Sequence, residues 1–442
     1  MYHRVMGSGD MEAIRPKRDA SFSVDLKHAL VWVARALDYV GVDDINHNHR
    51  VAYIAYECAK LLKWDVKKQE FAFLAGLIHD CGVSQTREHE QLVSQLVPLA
   101  AEQHCAEGYK ALNQCSLLSK FSSTVLYHHT YWSDLQHVDI SPYEKDIASL
   151  IFVADRLDFF RAQFIDSENL NLITLHKYQI IDLLQQHSGT LFCPKHVNVL
   201  CELASKDGFW FAMEAENIES ISLGFKHLEW LQKDLSLRDL VQLGRFIAGI
   251  VDAKSPFTYQ HSLKVAELCL YLARGLGLSD YDSCMLYVAG LVHDIGKLRT
   301  PDSILHKQGA LTQEEYIHIK RHTIDTEIAL KMVFPHSKIG EWAANHHEKL
   351  DGSGYPYNKT SSDLDLPSRI IAVADIFQAL SQNRPYRDRL NELEIVDIMT
   401  PMVEDGQLDR NVFAYLLANV DECYQLSVDP NKHCKLKSAC SA

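Results

Sequence analysis

Histidines and aspartates occur in the same order twice along this chain. The first series is His47, His79, Asp80, His104, His128, His129 and Asp155, and the second is His261, His293, Asp294, His322, His346, His347 and Asp375. A lone histidine beside an apolar segment is usually structural, but chance does not readily repeat a whole ordered set. Imidazoles together with carboxylates are the ligands expected for Zn, Fe or Mn. The pattern therefore predicts metal-dependent chemistry.

The spacing of the two series indicates a duplication. His47 and His79 each lie 214 residues before their counterparts, and 24 residues separate His104 from His128, as they separate His322 from His346. Residues 75–82 and 289–296 also share the pattern Ala-Gly-Leu-x-His-Asp-x-Gly. We predict two tandem domains, a first copy at 22–164 and a second copy at 236–425, joined by a helical segment at 165–235.

Apolar residues at helical spacing surround these positions. Such spacing occurs at 29–40, 51–62, 71–78, 240–251, 265–276 and 370–380, and glycines and prolines fall mostly between these segments. The predicted fold class is therefore all-α. Asp294 ends one apolar helix and Asp375 lies within another, where a carboxylate is costly to bury unless a cation or hydrogen bonds compensate. His346 and His347, if helical, point about 100° apart, so both reach one site only in the wall of a helical bundle.

The second series carries motifs of a known family. His-Asp-Ile-Gly-Lys at 293–297 is followed by Pro-Asp-Ser-Ile-Leu at 301–305, by His-His-Glu-Lys-Leu-Asp-Gly-Ser-Gly-Tyr-Pro at 346–356 and by Arg-Pro-Tyr-Arg at 384–387. This arrangement resembles the HD-GYP branch of the HD superfamily of phosphohydrolases over about residues 240–408. The resemblance implies two tandem HD-type helical domains, a degenerate first copy and a catalytic second copy that cleaves phosphodiester bonds.

The resemblance also implies a two-metal site in the second copy, with Fe or Mn as the expected ions. One metal would be held by His261, His293, Asp294 and Asp375, and the other by a bridging Asp294 with His322, His346 and His347. Some family members bind a third metal through a Glu four residues before the first ligand, where this chain has Phe257. Thr326 stands where the family usually has Gly, a change that we expect to be tolerated.

Other second-copy residues are implied to act on the substrate. Asp294 and Lys297 would be catalytic, with Lys297 binding the scissile phosphate or assisting the leaving oxygen. Arg384 and Arg387 would clamp the phosphates, since guanidinium groups suit bidentate contacts; the alternative for this pair is a solvated helix end. Gly354 and Tyr355 would line the pocket.

The first copy keeps all seven ligand positions but lacks the rest of the apparatus. Lys297 corresponds to Val83, Glu348 corresponds to Thr130, and nothing after His129 resembles Gly-Tyr-Pro. The seven positions form a possible second metal site, whereas turnover there is not expected. We hypothesise that this copy is regulatory or forms a dimer.

The resemblance implies hydrolysis of a bacterial cyclic dinucleotide to a linear dinucleotide. The expected substrate is 3′,3′-cyclic GMP-AMP, cyclic di-GMP or both, because a degenerate HD copy joined to an HD-GYP copy is similar to enzymes that act on cyclic GMP-AMP. One alternative is a nucleotide phosphohydrolase of the wider HD superfamily. Another is a non-catalytic receptor for cyclic dinucleotides, against which the intact Lys297 and ligand set argue.

Composition limits the partners. A net charge of −14 argues against a nucleic-acid polymer, whose binding depends on basic patches, but not against a small phosphorylated ligand beside bound cations. The apolar runs are far shorter than the roughly 20 residues that a membrane span needs, and no signal-peptide pattern opens the chain. We expect a cytoplasmic protein without a membrane anchor, and a homodimer is possible.

Overall fold

The computed structural model describes residues 24–38, 46–83, 95–98, 101–164, 170–231, 234–254, 260–307, 309–383 and 387–434. Within these ranges the chain is helical, with isolated β-bridges at Ser188–Phe192 and Asp351–Thr360 and no extended sheet. The predicted all-α class is confirmed. No helix of the described residues has the length and apolar character needed to cross a membrane.

The helices of the first copy and of the segment after it are labelled in chain order. They are α1 (Leu26–Asp38), α2 (His47–Leu61), α3 (Val66–Ile78), α4 (Ala101–Asn113), α5 (Ser122–Tyr127), α6 (Trp132–Leu135), α7 (Pro142–Ala162), α8 (Lys177–Gln186), α9 (Pro194–Ala204), α10 (Asp207–Phe211) and α11 (Ala215–Leu223). Short 3₁₀ helices lie at Ser119–Phe121, Leu170–Leu175 and Glu229–Leu231.

The described part of the second copy is also helical. Its helices are α12 (Leu237–Lys254), α13 (His261–Gly275), α14 (Asp280–Val292), α15 (Asp302–Leu305), α16 (Gln313–Val333), α17 (Ile339–Ala344), α18 (Leu366–Ser381), α19 (Glu392–Glu404), α20 (Arg410–Ala418) and α21 (Val420–Val428). The 3₁₀ helices Ile295–Arg299 and Asn345–His347 follow α14 and α17.

A close helix pair forms the centre of each copy. In the first copy α3 packs on α2, and in the second α14 packs on α13. A Cβ at Gly76 would lie 2.6 Å from the Ala52 Cα, and one at Gly290 would lie 2.8 Å from the Ala266 Cα. Glycine therefore lets the backbones of both pairs touch at the same point, one turn before the His-Asp sequence. The duplication inferred from sequence thus extends to helix packing.

Local sequence explains where the ligand-bearing helices begin. Thr312 caps α16 by accepting from the Glu315 backbone N–H, and the Glu315 side chain accepts in return from the Thr312 backbone N–H. Asp365 caps α18 by accepting from the Ser368 backbone N–H. These caps fix the start of the two helices that carry His322 and Asp375.

The segment at 165–235 packs mainly on the first copy. Helix α9 contacts α2 and α7, and α11 contacts α2. The buried Glu70 carboxylate accepts from the backbone N–H groups of residues 226–228. The domain boundaries at 164 and 236 remain predictions.

Contacts between the copies come from several elements. Helix α1 packs on α2 and α3 and also on α16, and the Asp25 N–H donates to the Val333 carbonyl of that helix. The Ser116 hydroxyl donates to the carboxylate of Asp239 and the amide oxygen of Gln242 in α12. A cavity of about 840 Å³ lies between Gln103 and Glu107 on α4 and Phe246 on α12.

Candidate metal centre

Five elements bring the second series together. His261 is the first residue of α13, His293 and Asp294 follow the last turn of α14, and His322 lies in the middle of α16. His346 and His347 belong to the 3₁₀ helix Asn345–His347 rather than to an α-helix as we predicted, because the chain tightens after α17. Asp375 lies on α18. All but His347 are buried; the side chain of His347 is 25% exposed.

Backbone carbonyls orient the imidazoles. Nδ1 of His293 lies 2.8 Å from the Gly290 carbonyl, Nδ1 of His322 lies 2.6 Å from the Ile319 carbonyl, and Nδ1 of His346 lies 2.6 Å from the Ala343 carbonyl. A carbonyl only accepts, so each Nδ1 carries the proton and each Nε2 presents a lone pair to the centre. This anchoring is typical of metal-ligating histidines.

The ligand atoms form two groups with Asp294 between them. Possible ligand atoms of His261, His293 and Asp375 lie within 4.8 Å of one another, as do those of His322, His346 and His347. Asp294 Oδ2 lies 3.5 Å from His261 Nε2 and 3.4 Å from His293 Nε2. Asp294 Oδ1 lies 3.6 Å from the Nε2 atoms of both His322 and His346. One carboxylate therefore faces both groups.

Buried ligand atoms that lack a hydrogen-bond partner indicate that cations fit this centre. His261 Nε2, His293 Nε2 and Asp294 Oδ1 are buried without a hydrogen-bond partner, which is costly unless another group binds them. His322 Nε2 lies 3.0 Å from His346 Nε2, and both nitrogens present lone pairs. Two such atoms repel unless a cation lies between them, and imidazole with carboxylate suits first-row transition metals.

Electrostatics keeps most of the ligands ready to bind. Burial and the charge of Lys297 lower the pKa of His322 to about 3. Burial and the neighbouring His347 hold the pKa of His346 well below its usual value. Burial opposes ionisation of Asp294, but its interactions with His293 and with the Lys297 ammonium outweigh burial and hold its pKa well below the usual range. Neutral imidazoles and an ionised carboxylate are the forms that ligate metals.

His261 is the exception among these histidines. Burial lowers its pKa, but the Asp294 and Asp375 carboxylates outweigh burial and raise that pKa to about 9. Its Nδ1 contacts the Gln378 side-chain oxygen. Gln378 therefore orients His261, whereas backbone carbonyls orient His293, His322 and His346. Sequence reasoning missed Gln378, although it lies three residues after Asp375 on the same helix face.

Lys297 and the Gly-Tyr-Pro loop border the centre. Lys297 Nζ lies 2.5 Å from Asp294 Oδ2. The Tyr355 ring lies 4.9 Å from the His347 ring, and the Tyr355 N–H donates to the His347 carbonyl. A Cβ at Gly354 would lie 2.4 Å from the Lys349 N and 2.6 Å from the Glu348 Cα. Only glycine therefore allows this turn to fold against the histidine pair.

Glu348 has a role that the sequence did not reveal. Its two carboxylate oxygens accept from the backbone N–H groups of Tyr357 and Lys359, at 2.7 and 2.9 Å. The residue after the histidine pair thus closes the loop that carries Gly354 and Tyr355. Thr130 at the corresponding position of the first copy lacks a carboxylate.

The remaining predicted positions lie farther from the centre or outside the described residues. Arg384 and Phe257 lie outside them. Arg387 Nη2 donates to the backbone carbonyls of Ala379 and Leu380 at the end of α18. Thr326 accepts from the Gly296 N–H and donates to the His293 carbonyl, each at 3.0 Å, so its hydroxyl ties α16 to the His-Asp turn.

The first copy assembles its seven residues in a similar way. Possible ligand atoms of Asp80, His104, His128 and His129 lie within 4.8 Å of one another, as do those of His47, His79 and Asp80. Asp155 differs, because Arg156 donates to both of its oxygens at 2.8 Å.

The partner of the first histidine also differs between the copies. His47 Nδ1 lies 2.8 Å from the Asp158 carboxylate, which Arg50 and Arg161 also contact, whereas His261 meets the neutral Gln378. Sequence reasoning missed Arg156 and Asp158.

Comparison with known proteins agrees with this organisation. Models of the HD domain match residues 44–159 and 245–412. The 3′3′-cGAMP-specific phosphodiesterase 1 of Vibrio cholerae is 44% identical over 407 residues, which cover 92% of this chain and 94% of that protein. A cyclic di-GMP phosphodiesterase of Thermotoga maritima is 38% identical over 133 residues, 30% of this chain and 36% of that protein.

A solved structure shares the fold. The crystal structure of V-cGAP3, a cyclic GMP-AMP specific phosphodiesterase of Vibrio cholerae, matches with a TM-score of 0.60 and 22% identity, covering 91% of this chain and 98% of that chain. At this identity the match shows the fold alone. Taken with the long, 44% identical alignment, the two HD domains show that the chain belongs to the HD-domain phosphodiesterase family.

Proposed function

We propose that this protein hydrolyses a cyclic dinucleotide to a linear dinucleotide in a metal-dependent reaction at its second copy. The observation that carries the proposal is Asp294, whose two oxygens face separate groups of buried histidines. We further propose 3′,3′-cyclic GMP-AMP as the preferred ring and cyclic di-GMP as a second substrate. The names of the similar proteins support both, and the long alignment with a cyclic GMP-AMP enzyme supports the order.

The proposed cofactors are two divalent ions, Fe or Mn, in the second copy. His261, His293, Asp294 and Asp375 would hold one, and Asp294, His322, His346 and His347 the other. When bound, such a pair supplies a nucleophilic water at neutral pH and positive charge for the phosphoryl oxygens. The unsatisfied His261 Nε2, His293 Nε2 and Asp294 Oδ1 support this assignment.

The protein's own groups would bind and orient the substrate. Lys297 lies beside Asp294 with its ammonium half-buried, where it can exchange the carboxylate for a phosphate oxygen. Tyr355 covers His347 and supplies an apolar wall. We retain Arg384 and Arg387 as the proposed phosphate clamp, on the segment that follows α18.

The reaction breaks one phosphodiester bond of the ring. The oxygen of water joins phosphorus, the bond from phosphorus to one sugar oxygen breaks, and that oxygen takes up a proton. Lys297 is the group near Asp294 that can donate this proton or stabilise the departing charge. The product is a linear dinucleotide with one terminal phosphate.

The first copy would regulate the enzyme or form a homodimer. Val83 replaces Lys297 there, and Arg156 neutralises Asp155. The first copy therefore lacks three features of the second: the lysine, the Gly-Tyr-Pro loop and a second carboxylate that is free to bind a metal. Without them it is not equipped to bind and cleave a cyclic dinucleotide.

Direct turnover tests this proposal. Full-length protein loaded with Mn²⁺ or Fe²⁺ would be incubated with each ring separately and then with both together, and products would be identified by mass spectrometry. We expect each ring to gain one water, and cyclic GMP-AMP to be consumed first in the mixture. Metal-free protein is the control.

Two other outcomes have distinct meanings. Tight binding of a ring without any hydrolysis by metal-loaded protein would support the receptor alternative. Hydrolysis of mononucleotides but of neither ring would support a nucleotide phosphohydrolase of the wider superfamily.

A further inference from the structure

Four ligand residues of the first copy meet at one point. Asp80, His104, His128 and His129 place possible ligand atoms within 4.8 Å of one another. Asp80 Oδ1 lies 3.5 Å from His104 Nε2 and 3.6 Å from His128 Nε2. This oxygen is buried and has no hydrogen-bond partner. An unpartnered carboxylate oxygen aimed at two imidazoles indicates a bound cation.

The two imidazoles present their nitrogens to the same point. His128 Nδ1 lies 2.6 Å from the Val125 carbonyl and donates to it, so His128 Nε2 is the ring nitrogen that faces Asp80. That atom lies 3.3 Å from His104 Nε2. Three imidazoles and one carboxylate are a donor set that suits four-coordinate Zn²⁺.

The other half of the first-copy site is arranged differently. Arg156 is buried and places Nη2 2.8 Å from both oxygens of Asp155, and its Nη1 donates to the Gln95 carbonyl at 2.9 Å. The equivalent residue of the second copy is Ile376, which cannot donate. Asp375 accordingly groups with His261 and His293, whereas Asp155 joins no group of ligand atoms within the described ranges.

We infer that the first copy holds a single divalent cation of the Zn²⁺ class on Asp80, His104, His128 and His129, and that the Arg156 guanidinium replaces the second cation of the catalytic copy. Asp155 lies 3.4 Å from His47 Nε2 and already holds the Arg156 guanidinium. A cation on His47, His79 and Asp80 would therefore meet a fixed positive charge nearby, and like charges repel. This inference does not depend on the proposed activity.

One cation at this place would act as a brace. It would join the end of α3, the helix α4 and the turn after α5, which carry Asp80, His104 and the pair at 128–129. Helix α4 also contacts α12 of the second copy and lines the cavity between the copies. The cation would therefore rigidify the side of the first copy that faces the catalytic one.

Counting metal per chain tests the inference without using activity. Wild-type and variant full-length proteins would be saturated with Zn²⁺, freed of excess metal by gel filtration and measured by inductively coupled plasma mass spectrometry. We expect His104→Ala with His128→Ala to lose one equivalent relative to wild type. His47→Gln, in the half that Arg156 fills, is the matched control and should lose none.

The converse variant tests the role of Arg156. Arg156→Ile installs the residue of the second copy and should gain one equivalent, because Asp155 becomes free to ligate. If the double alanine variant is poorly folded, His104→Gln and Arg156→Ile still decide the question. The inference would be overturned if the double alanine variant and His104→Gln both kept the wild-type metal content. Loss of one equivalent in His47→Gln, or no gain in Arg156→Ile, would also overturn it. Each result is a difference in metal content from wild type, so the interpretation does not depend on the number of ions in the second copy.

Discussion

The direction of the ligand side chains is set by backbone very close to them in sequence. Five histidines place Nδ1 against the carbonyl three residues earlier, namely His79, His128, His293, His322 and His346. This local contact fixes the tautomer and turns Nε2 toward the centre. The centre is therefore preorganised by the turns themselves, in both copies.

Lys297 is the residue that best separates catalysis from metal binding. Lys297→Met keeps the length of the side chain but removes the charge beside Asp294, so transition-state charge is less well stabilised while the ligands stay in place. We expect kcat for cyclic GMP-AMP hydrolysis to fall by about 10²-fold or more, with unchanged metal content.

The control for this variant is Lys331→Met on the exposed face of α16, where the ammonium makes a surface ion pair with Glu327. That variant should keep wild-type kcat. A Lys297→Met protein that turns over normally, or that loses metal instead of kcat, would contradict the role assigned to Lys297.

At the scale of single residues, the sequence predicted the metal-ligand candidates better than the residues that contact them. The structure brings together all seven residues of each series, because order and spacing carry that information. Gln378 and Asp158, each three residues after an aspartate of the series, could have been found from helix periodicity. Arg156 could not, because its direction depends on the Gln95 carbonyl, which is distant in sequence.

Among the elements, the loop from Glu348 to Lys359 depends most on one small residue. Gly354→Ala would push a methyl group into the backbone of Lys349 and Glu348. We expect the loop to shift, Tyr355 to leave His347, and kcat to fall at least about tenfold, with a loss of stability of about 1–3 kcal/mol. Gly208→Ala, where nothing lies within 4 Å of the added Cβ, is the control and should keep kcat without a loss of stability. Equal behaviour of the two variants would show that the loop tolerates the methyl group.

Helix α9 contains a buried histidine that makes the protein sensitive to acid. Burial lowers the pKa of His196 to about 4, below the value of about 6.5 expected in the unfolded chain. The unfolded chain therefore binds an extra proton between these values, and stability is lost as the pH falls from about 6.5 toward 4. At about 1.4 kcal/mol per pKa unit, the loss approaches about 3.5 kcal/mol.

His196→Gln removes this titration, so its thermal midpoint should fall less than that of wild type between pH 7.5 and pH 4.5. The exposed His137→Gln controls for the loss of a histidine and should follow wild type. A His196→Gln protein whose midpoint falls as steeply as that of His137→Gln would contradict the assignment.

Apolar periodicity predicted where these helices lie but not where each of them begins. Periodicity at 71–78 and 370–380 lies within α3 and α18, whereas the predicted segment at 29–40 begins after the first turn of α1. The 3₁₀ form of Asn345–His347 was not predicted, because a three-residue turn has no periodicity of its own. Capping residues such as Thr312 and Asp365 were readable signals that would have fixed the helix starts.

At the scale of the whole molecule, the two copies share a fold but differ in the charges around their second aspartate. The second copy leaves Asp375 open to cations, and the first copy closes Asp155 with Arg156. The packing of α1 on both copies and of the segment at 165–235 on the first copy was not predictable, because such contacts depend on surface complementarity between distant segments. This difference supports the proposed catalysis in the second copy and the proposed bracing or regulatory role of the first.

Turnover of cyclic GMP-AMP by matched double variants is the most direct test of this assignment. His293→Ala with Asp294→Ala, and His79→Ala with Asp80→Ala, make the same change at equivalent positions of the two copies. In Mn²⁺-loaded, folded protein, the second-copy variant should lose hydrolysis by more than about 10²-fold, and the first-copy variant should retain most of it. Hydrolysis that survives in the second-copy variant, or that vanishes only in the first-copy variant, would contradict the assignment of the active site.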